Sequence, residues 1–384
     1  MPTTNFRFQR FLAGLATASA CLVAAACGGG SSDGVPEARS EPEAAVASAR
    51  LPGDLDKGSG LRGFNLAGLR KPALAEKDYS DLAAYGANLV RIGVEARVAA
   101  NGGYEMAASE WQYLQTAVNM GRKFGFKVVV TLTAVPWGEQ SIYWDRPELQ
   151  QSIVNLWSSI AARFKGNPVI AGYDLINEPV MPRDRSPPSG PNIDYWREFA
   201  VKIVQAIRNE DAGSVIIFEP SPWGLPHGFS NLTPLPFDRI VYSFHFYSPH
   251  ELTHQGLYNH TLALSYPGVA ASRASLSKEM EPVRAFSRRY AVPIFVGEFS
   301  IIRWAPGDSV ANYLTDVIEL FEAEGWNWSY HAFREYEGWD AEIEPAPATV
   351  AAVARSANAK TIKLLIDKGF SKNKRAAAPR LRAI

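Results

Sequence analysis

The sequence has few cysteines, no excess of charge and no apolar run long enough to cross a bilayer. Its two cysteines, Cys21 and Cys27, both lie near the start of the 384-residue chain, so disulfides cannot form a framework for the remainder. Lys+Arg is 39 and Asp+Glu is 39, and this formal net charge of zero gives no indication of nucleic-acid binding. The apolar run at 11–26 is too short to span a membrane comfortably. Stability must therefore come from a packed core.

The first 26 residues have the composition of a secretory signal peptide, because Arg7 and Arg10 precede the apolar run without any acid. The sequence VAAAC, followed by GGGSSDG, resembles a bacterial lipoprotein signal in which Cys27 becomes the acylated first residue. Ala24 stands where such signals prefer leucine. The resemblance implies export and lipid anchoring to the outer membrane or cell surface. An ordinary cleaved signal, with a periplasmic or secreted product, is the alternative.

Between a Gly-, Ser- and Pro-rich tether (27–60) and a basic tail (373–384), we predict one domain over 61–372. In it, short apolar runs alternate with helical patterns at 106–124, 148–165, 193–210, 275–290, 310–324 and 347–369. The apolar runs are LRGFNLAG (61–68), NLVRIGVE (88–95), FKVVVTLTA (126–134), VIAGYDLINEP (169–179), SVIIFEPS (214–221), IVYSFHFYS (240–248), PIFVGEFS (293–300) and WNWSYHAF (326–333).

Eight strands in alternating β/α order predict an α/β fold of the (β/α)₈ TIM-barrel class. Several of the runs are almost entirely apolar, as expected for parallel strands that are buried on both faces. A doubly wound open sheet is the structural alternative. That fold usually has fewer strands, and the Gly-rich phosphate-binding turn that often marks it does not occur here.

A barrel concentrates its chemistry at the carboxyl ends of its strands, so the polar residues found there are candidate site residues. Two of them are carboxylates, Glu178 after the fourth run and Glu298 after the seventh. The others are Arg91, Asn177, His245, Tyr247, Trp328 and His331. Cleavage of a glycosidic bond needs one protonated carboxyl group and one ionised carboxylate. An arginine beside a carboxylate keeps it ionised, and an amide can bind a sugar hydroxyl.

At these residues the chain resembles glycoside hydrolase family 5, the cellulase-like (β/α)₈ enzymes. The motif INEP implies Glu178 as acid/base and Asn177 as a contact of the sugar 2-hydroxyl, and VGEFS implies Glu298 as nucleophile. The family's supporting arginine, histidine and tyrosine match Arg91 in NLVRIGV and the pair His245 and Tyr247 in HFY. The resemblance extends over about 60–372. It implies β-glycoside hydrolysis with retention of configuration, and no cofactor.

Two positions depart from the family pattern, and both touch the sugar site. Thr133 stands where the family often has histidine, and His331 stands where the family usually has a tryptophan beneath the cleaved sugar. Further aromatic side chains are predicted in the loops at the mouth of the barrel, as sugar platforms or as packed anchors. They are Trp137, Trp223 and Trp339. In the last loop, FREYEGWDAE, we expect Arg334, Glu335 and Trp339 to shape the sugar subsites.

Other functions remain open at the level of sequence. A catalytically silent carbohydrate-binding barrel would explain the two altered positions, and a glycolipid-directed glycosidase would share the same motifs. A metal-dependent hydrolase is suggested by a histidine cluster, although its spacing fits no closed zinc pattern. The cluster comprises His245, His250, His254 and His260. We expect a monomer that acts on a β-glucan, mannan or related saccharide and has no metal; the sequence does not identify the sugar or distinguish endo from exo action.

Overall fold

The protein is described by a computed structural model that covers most of the predicted domain. The described residues are 55, 58–66, 74–99, 102–134, 144, 146–181, 193–257, 263–269, 271–347 and 354–373. Cys27 and the predicted signal peptide lie outside the described residues, as do Trp137, His260, most of the tether and the tail beyond 373.

Eight parallel strands close into a barrel, and each comes from one of the eight predicted runs. They are β1 (Arg62–Leu66), β2 (Leu89–Val98), β4 (Lys127–Ala134), β5 (Ile170–Asp174), β6 (Ile216–Phe218), β7 (Ile240–Phe246), β8 (Ile294–Phe299) and β9 (Asn327–Tyr330). The barrel is closed because β1 pairs with both β2 and β9. A short strand that the sequence did not predict, β3 (Tyr104–Met106), pairs antiparallel with the end of β2. The predicted (β/α)₈ class is confirmed.

Helices connect the strands around the outside of the barrel. They are α1 (Glu76–Ala84), α2 (Ala108–Phe124), α3 (Pro147–Phe164), α4 (Ile193–Glu210), α5 (His250–Thr253), α6 (Arg273–Glu279), α7 (Glu281–Tyr290), α8 (Ser309–Glu324) and α9 (Lys360–Lys368). Helices α2 and α8 end at Gly125 and Gly325, whose φ angles of 81° and 68° suit glycine. No helix in the described ranges is long and apolar enough to cross a membrane.

Two helix predictions were wrong in extent, and two helices were missed. The pattern at 275–290 is divided at Met280, because Pro282 opens a new helix and has no N–H to continue the previous one. In the described part of the pattern at 347–369, which comprises 347 and 354–369, the helix begins at Lys360. Before that residue, Ser356 Oγ accepts from the backbone N–H of Asn358, a local bond that competes with helix formation. Helices α1 and α5 were not predicted.

The interior of the barrel changes from apolar to polar along the strands. An apolar layer that includes Leu89, Val129 and Val241 fills the amino-terminal half. Side chains repeat on one face every second residue, so Arg91 follows Leu89 into the barrel and His245 follows Val241. These two polar groups are buried, at 2% and 0% exposure. A larger apolar layer between the strands and helices holds the barrel rigid around them.

Candidate active site

Arg91, on β2, lies at the centre of the carboxyl-terminal half of the barrel. It donates from Nε to Asp174 Oδ2 and from Nη1 to Glu298 Oε1, each at 2.8 Å. Its Nη2 donates to Glu219 Oε1 and to Asn177 Oδ1, also at 2.8 Å. Charge-assisted bonds of this length are the strong ones, and burial strengthens them further. One buried cation therefore fixes residues from the ends of three different strands, β5, β6 and β8.

Glu298, at the end of β8, is held in its ionised form. It accepts from Arg91 and, through Oε2, from the Tyr247 hydroxyl at 2.8 Å. Burial alone would raise its pKa, but the charges of His245, His331 and Arg91 and the Tyr247 bond outweigh burial and lower the pKa to about 2. A carboxylate in this state can attack an electrophilic carbon.

Glu178, four residues beyond the end of β5, shows the opposite shift. Burial raises the pKa of its carboxyl group; the hydrogen bond and charge of His245 oppose this effect, and the charges of Glu298 and Glu219 add to it. Its Oε1 lies 2.8 Å from His245 Nδ1. A carboxyl group with a raised pKa can hold a proton at pH values where Glu298 is ionised.

The two carboxyl groups face each other at short range. Oxygens of Glu178 and Glu298 and a ring nitrogen of His245 all lie within 4.8 Å of one another. In glycosidases, carboxyl groups about 5–5.5 Å apart accompany retention of configuration, whereas about 6.5–9.5 Å leaves room for the water of an inverting enzyme. The two carboxyl groups thus lie close together and have pKa values displaced in opposite directions.

Among the described residues, this same trio is also the one group compact enough to be considered for a metal ion. Its His245 Nδ1 is already engaged by Glu178, and Nε2 lies 3.2 Å from Glu219 Oε1. Burial alone would lower the pKa of His245, but the charges of Glu219 and Glu298 outweigh it and raise the pKa well above its usual value. A protonated imidazole offers no lone pair to a metal, and Arg91 already supplies the central positive charge.

Asn177 lies beside Glu178, as the motif predicted. Its Oδ1 accepts from Arg91, which orients the amide so that Nδ2 is its donor. Its backbone N–H donates to Leu132 O on the neighbouring strand at 3.0 Å. The amide is thus fixed in position next to the acid.

Three buried polar residues of the site were not identified from the sequence. Glu219 follows β6, Asp174 ends β5, and Asn65 on β1 accepts from Arg91 Nη1 at 3.0 Å. Each interrupts an apolar run at or near the end of a strand. That position could have identified each as a candidate site residue from the sequence. The Arg91 cation faces three carboxylates, those of Asp174, Glu219 and Glu298.

The predicted aromatic residues have different surroundings. Trp223, after β6, is 39% exposed, and its backbone N–H donates to Pro179 O at 3.1 Å, next to Glu178. Trp339 is half-buried, with its ring centroid 6.5 Å from that of Tyr247 and 5.8 Å from that of His331. Both lie close to residues of the site.

Trp328 was wrongly predicted as a substrate contact. It is fully buried on β9, and its Nε1 donates to Glu322 of α8 at 2.8 Å. Its ring packs on Phe299 and Phe370. The side chain therefore points out of the barrel into the helix layer, where it contributes to the core.

In the loop after β9, Arg334 contacts helix α1, whereas His331 and Glu335 lie near Glu298. Arg334 pairs with Asp78 and Asp81 of α1 and with Glu342. These contacts tie the loop to α1, and the role of Arg334 in a subsite stays a prediction. His331 and Glu335 face the site: His331 Nδ1 is 3.6 Å from Glu298 Oε2, and Nε2 is 3.8 Å from Glu335 Oε2. His331 Nδ1 and Glu335 Oε2 are buried polar atoms without a hydrogen-bond partner.

Comparison with known proteins gives consistent matches. The family model described as "Cellulase (glycosyl hydrolase family 5)" matches residues 54–337. Endoglucanase C of Acetivibrio thermocellus is 22% identical over 306 residues, which cover 68% of this chain and 86% of the relative. Cellodextrinase A of Ruminococcus flavefaciens is 21% identical over 292 residues, covering 69% of this chain and 83% of the relative.

Solved structures share the fold. Thermotoga maritima Cel5A, in a mutant form with cellobiose, aligns with a TM-score of 0.67 at 21% identity over 80% of this chain and 97% of its own. The same enzyme with mannotriose gives 0.65 at 20% identity over 83% and 99%. The family match covers well over half of the chain, and the chain therefore belongs to the cellulase family, glycosyl hydrolase family 5, and is a glycoside hydrolase.

Proposed function

We propose that the protein hydrolyses β-glycosidic bonds with retention of configuration, using Glu298 as nucleophile and Glu178 as acid/base. The observation that carries this proposal is the pair itself: two carboxyl groups with oxygens within 4.8 Å and pKa values displaced in opposite directions. That pair matches the chemistry of double displacement.

In the first step, a Glu298 oxygen forms a bond to the anomeric carbon while the bond to the leaving oxygen breaks. Glu178 transfers its proton to that oxygen as it departs. Tyr247 and Arg91 hold the attacking carboxylate in place, because each donates to one of its oxygens. Asn177 Nδ2 donates to the sugar 2-hydroxyl, where contacts strengthen in the transition state.

In the second step, Glu178, now ionised, removes a proton from water. The resulting hydroxide equivalent attacks the anomeric carbon and releases Glu298. Two inversions at one carbon restore the original configuration.

We propose a neutral β-linked glucan or mannan as the substrate. The relatives' names, endoglucanase and cellodextrinase, and the cellobiose and mannotriose complexes of the structural relative support this class.

Reducing-sugar release from a panel of β-glucans, β-mannans, xyloglucan and glycolipids tests the proposal. We expect release from a glucan or mannan, with the product's anomeric configuration, read by proton NMR, unchanged from that of the substrate. Inverted product would contradict the mechanism. Activity confined to glycolipids would contradict the proposed substrate class but would be consistent with the proposed mechanism.

The pH dependence of kcat/KM should be bell-shaped. Glu298 must be ionised, so activity falls as the pH drops towards its pKa of about 2. Glu178 must be protonated, so activity falls as the pH rises through its raised pKa. We therefore expect a plateau on the acidic side of neutrality, measured by initial rates on an unactivated oligosaccharide.

A substrate with a 2,4-dinitrophenyl leaving group provides the control for this profile. Such a group departs without a proton, so the alkaline decline in kcat/KM should disappear for it. If both substrates decline at the same alkaline pH, Glu178 is not the group responsible.

Trp339→Ala should lower kcat/KM about fivefold to tenfold, since an aromatic platform contributes ~1 kcal/mol or more. The change should appear mainly in KM, because Trp339 lies beside Tyr247 and His331 and its Nε1 forms no hydrogen bond to Glu178 or Glu298. Trp328→Phe is the matched control: it should lower the melting temperature and leave KM unchanged. Unchanged kinetic constants in Trp339→Ala would exclude it from the subsite.

A further inference from the structure

The loop after β6, residues 219–224, wraps around the segment that carries Glu178. Glu219 begins this loop and is 1% exposed. Its Oε2 accepts from the backbone N–H of Glu178 at 2.8 Å. Trp223 N–H donates to Pro179 O at 3.1 Å, so the loop contacts the Glu178 segment at two points.

Glu219, His245 and Glu178 form a closed ring of contacts. Glu219 Oε2 holds the Glu178 main chain, and Glu219 Oε1 lies 3.2 Å from His245 Nε2. His245 Nδ1 lies 2.8 Å from Glu178 Oε1. The buried carboxylate of Glu219 thus binds the backbone N–H of Glu178 directly. It also contacts His245, whose imidazole in turn contacts the Glu178 carboxyl group.

The backbone of Glu178 needs such a restraint. Its φ angle is 48°, in the left-handed region that a residue with a long side chain seldom occupies. This conformation is unfavourable for a residue with a Cβ and persists only where the surroundings enforce it. The hydrogen bond from Glu178 N–H to Glu219 Oε2 helps to hold Glu178 in this conformation.

Gly224 lies against both Glu219 and His245. Its φ is +63°, and a Cβ there would lie 3.1 Å from Glu219 Oε2 and 3.5 Å from His245 N. Its carbonyl accepts from His245 N–H at 2.9 Å. A side chain at position 224 would therefore make a tight contact with the Glu219 carboxylate, and the Gly224 carbonyl fixes the strand that carries His245.

We propose that Glu219 is a positioning residue that holds the acid/base carboxyl of Glu178 in its reactive geometry and keeps His245 positively charged. This inference rests on the proposed role of Glu178. A carboxylate suits the position because it balances the imidazolium and also pairs with Arg91 at 2.8 Å. The pKa of Glu219 is lowered: burial opposes ionisation, but the charges of His245 and Arg91 outweigh it.

The charged and titratable groups around His245 come from several elements. They are Glu178 after β5, Glu219 after β6, Glu298 on β8 and Asp174 at the end of β5. Arg91 pairs with Glu219 and Glu298, and Tyr247 donates to Glu298. Of these groups, Glu219 is the one whose carboxylate both accepts from the backbone N–H of Glu178 and lies 3.2 Å from His245 Nε2. Its replacement should therefore affect Glu178 in a way that loss of another Arg91 partner does not.

Glu219→Gln tests the proposal, with Asp174→Asn as the matched control. Both residues are buried acids bound to Arg91 at 2.8 Å, but Asp174 has no bond to Glu178 or His245. Burial raises the pKa of Asp174, whereas the charges of His245 and Arg91 lower that of Glu219. The substrates are cellotetraose, which needs protonation of its leaving group, and 2,4-dinitrophenyl β-cellobioside, which does not. Circular dichroism melting of both variants reports whether either fails to fold.

In Glu219→Gln we expect kcat/KM on cellotetraose to fall about 100-fold, the effect of misplacing a catalytic group by about 1 Å. On the dinitrophenyl substrate we expect less than about a fivefold fall, because that leaving group needs no acid. Asp174→Asn should lower both equally. Equal losses on the two substrates in Glu219→Gln would overturn the proposal and leave Glu219 a structural residue.

Histidine NMR gives a readout that needs no substrate. With ¹⁵N-labelled histidine in the full-length protein, His245 should stay protonated through neutral pH in the wild type and deprotonate near its ordinary pKa in Glu219→Gln. An unshifted titration would overturn the electrostatic part of the proposal. Inactivity of the wild type on both cello-substrates would exclude a cello-oligosaccharide substrate and leave a mannan, while this NMR result still decided the role of Glu219.

Discussion

Glu298→Gln is expected to lower kcat by at least about 10⁵-fold, the scale of loss when a covalent nucleophile is removed. The amide has nearly the same shape but carries no charge, so it cannot form the glycosyl–enzyme bond. It also removes one of three carboxylates paired with Arg91, and the other two, on Asp174 and Glu219, continue to hold that cation. We therefore expect a folded but inactive protein, measured by steady-state kinetics and thermal melting.

Glu342→Gln is the matched control for this variant. Glu342 is also a buried carboxylate paired with an arginine, Arg334, but it lies outside the site. Its replacement should lower the melting temperature and leave turnover unchanged. Residual turnover near the wild-type rate in Glu298→Gln would mean that another group attacks the sugar.

Glu178→Ala should show a loss that depends on the leaving group. With an unactivated oligosaccharide, kcat/KM should fall about 10²–10⁴-fold, the contribution of general acid catalysis. With a 2,4-dinitrophenyl glycoside, the first step should survive, and the covalent intermediate should accumulate because the general base is missing. A rapid burst of dinitrophenol followed by slow turnover would show this accumulation in stopped-flow absorbance.

Azide provides a direct check on that variant. The alanine leaves space beside the anomeric carbon, and azide attacks without needing a base. It should restore turnover of the dinitrophenyl substrate and yield a glycosyl azide with the substrate's own anomeric configuration. Equal losses on all substrates, with no effect of azide, would remove Glu178 from the acid/base role.

Much of the site was predictable because its residues lie at the ends of apolar runs. The motifs around Glu178 and Glu298 appear on strands three βα units apart, and barrel closure brings all strand ends to one face. Arg91 and His245 were predictable for the same reason. The two carboxyl groups meet as expected, and the eight runs all form barrel strands.

The residues and contacts that were missed or misplaced depended on information that no local pattern contains. Trp328 lies on a strand whose two faces are both buried, so alternation did not reveal that it points towards α8. Arg334 meets Asp78 and Asp81 of α1, more than 250 residues earlier, and loop composition could not predict that contact. Glu219 was passed over because a single acid after a strand is an ordinary strand ending.

The sequence by itself determined the barrel and indicated the two carboxyl groups that we propose as catalytic, since alternating periodicity and strand-end motifs are local properties of the chain. Only the tertiary structure decided how the pKa values of those two carboxyl groups differ. The charges of His245, His331 and Arg91 lower the pKa of Glu298, whereas burial raises that of Glu178. Such shifts depend on distances of a few ångströms between residues far apart in sequence, and folding alone sets those distances.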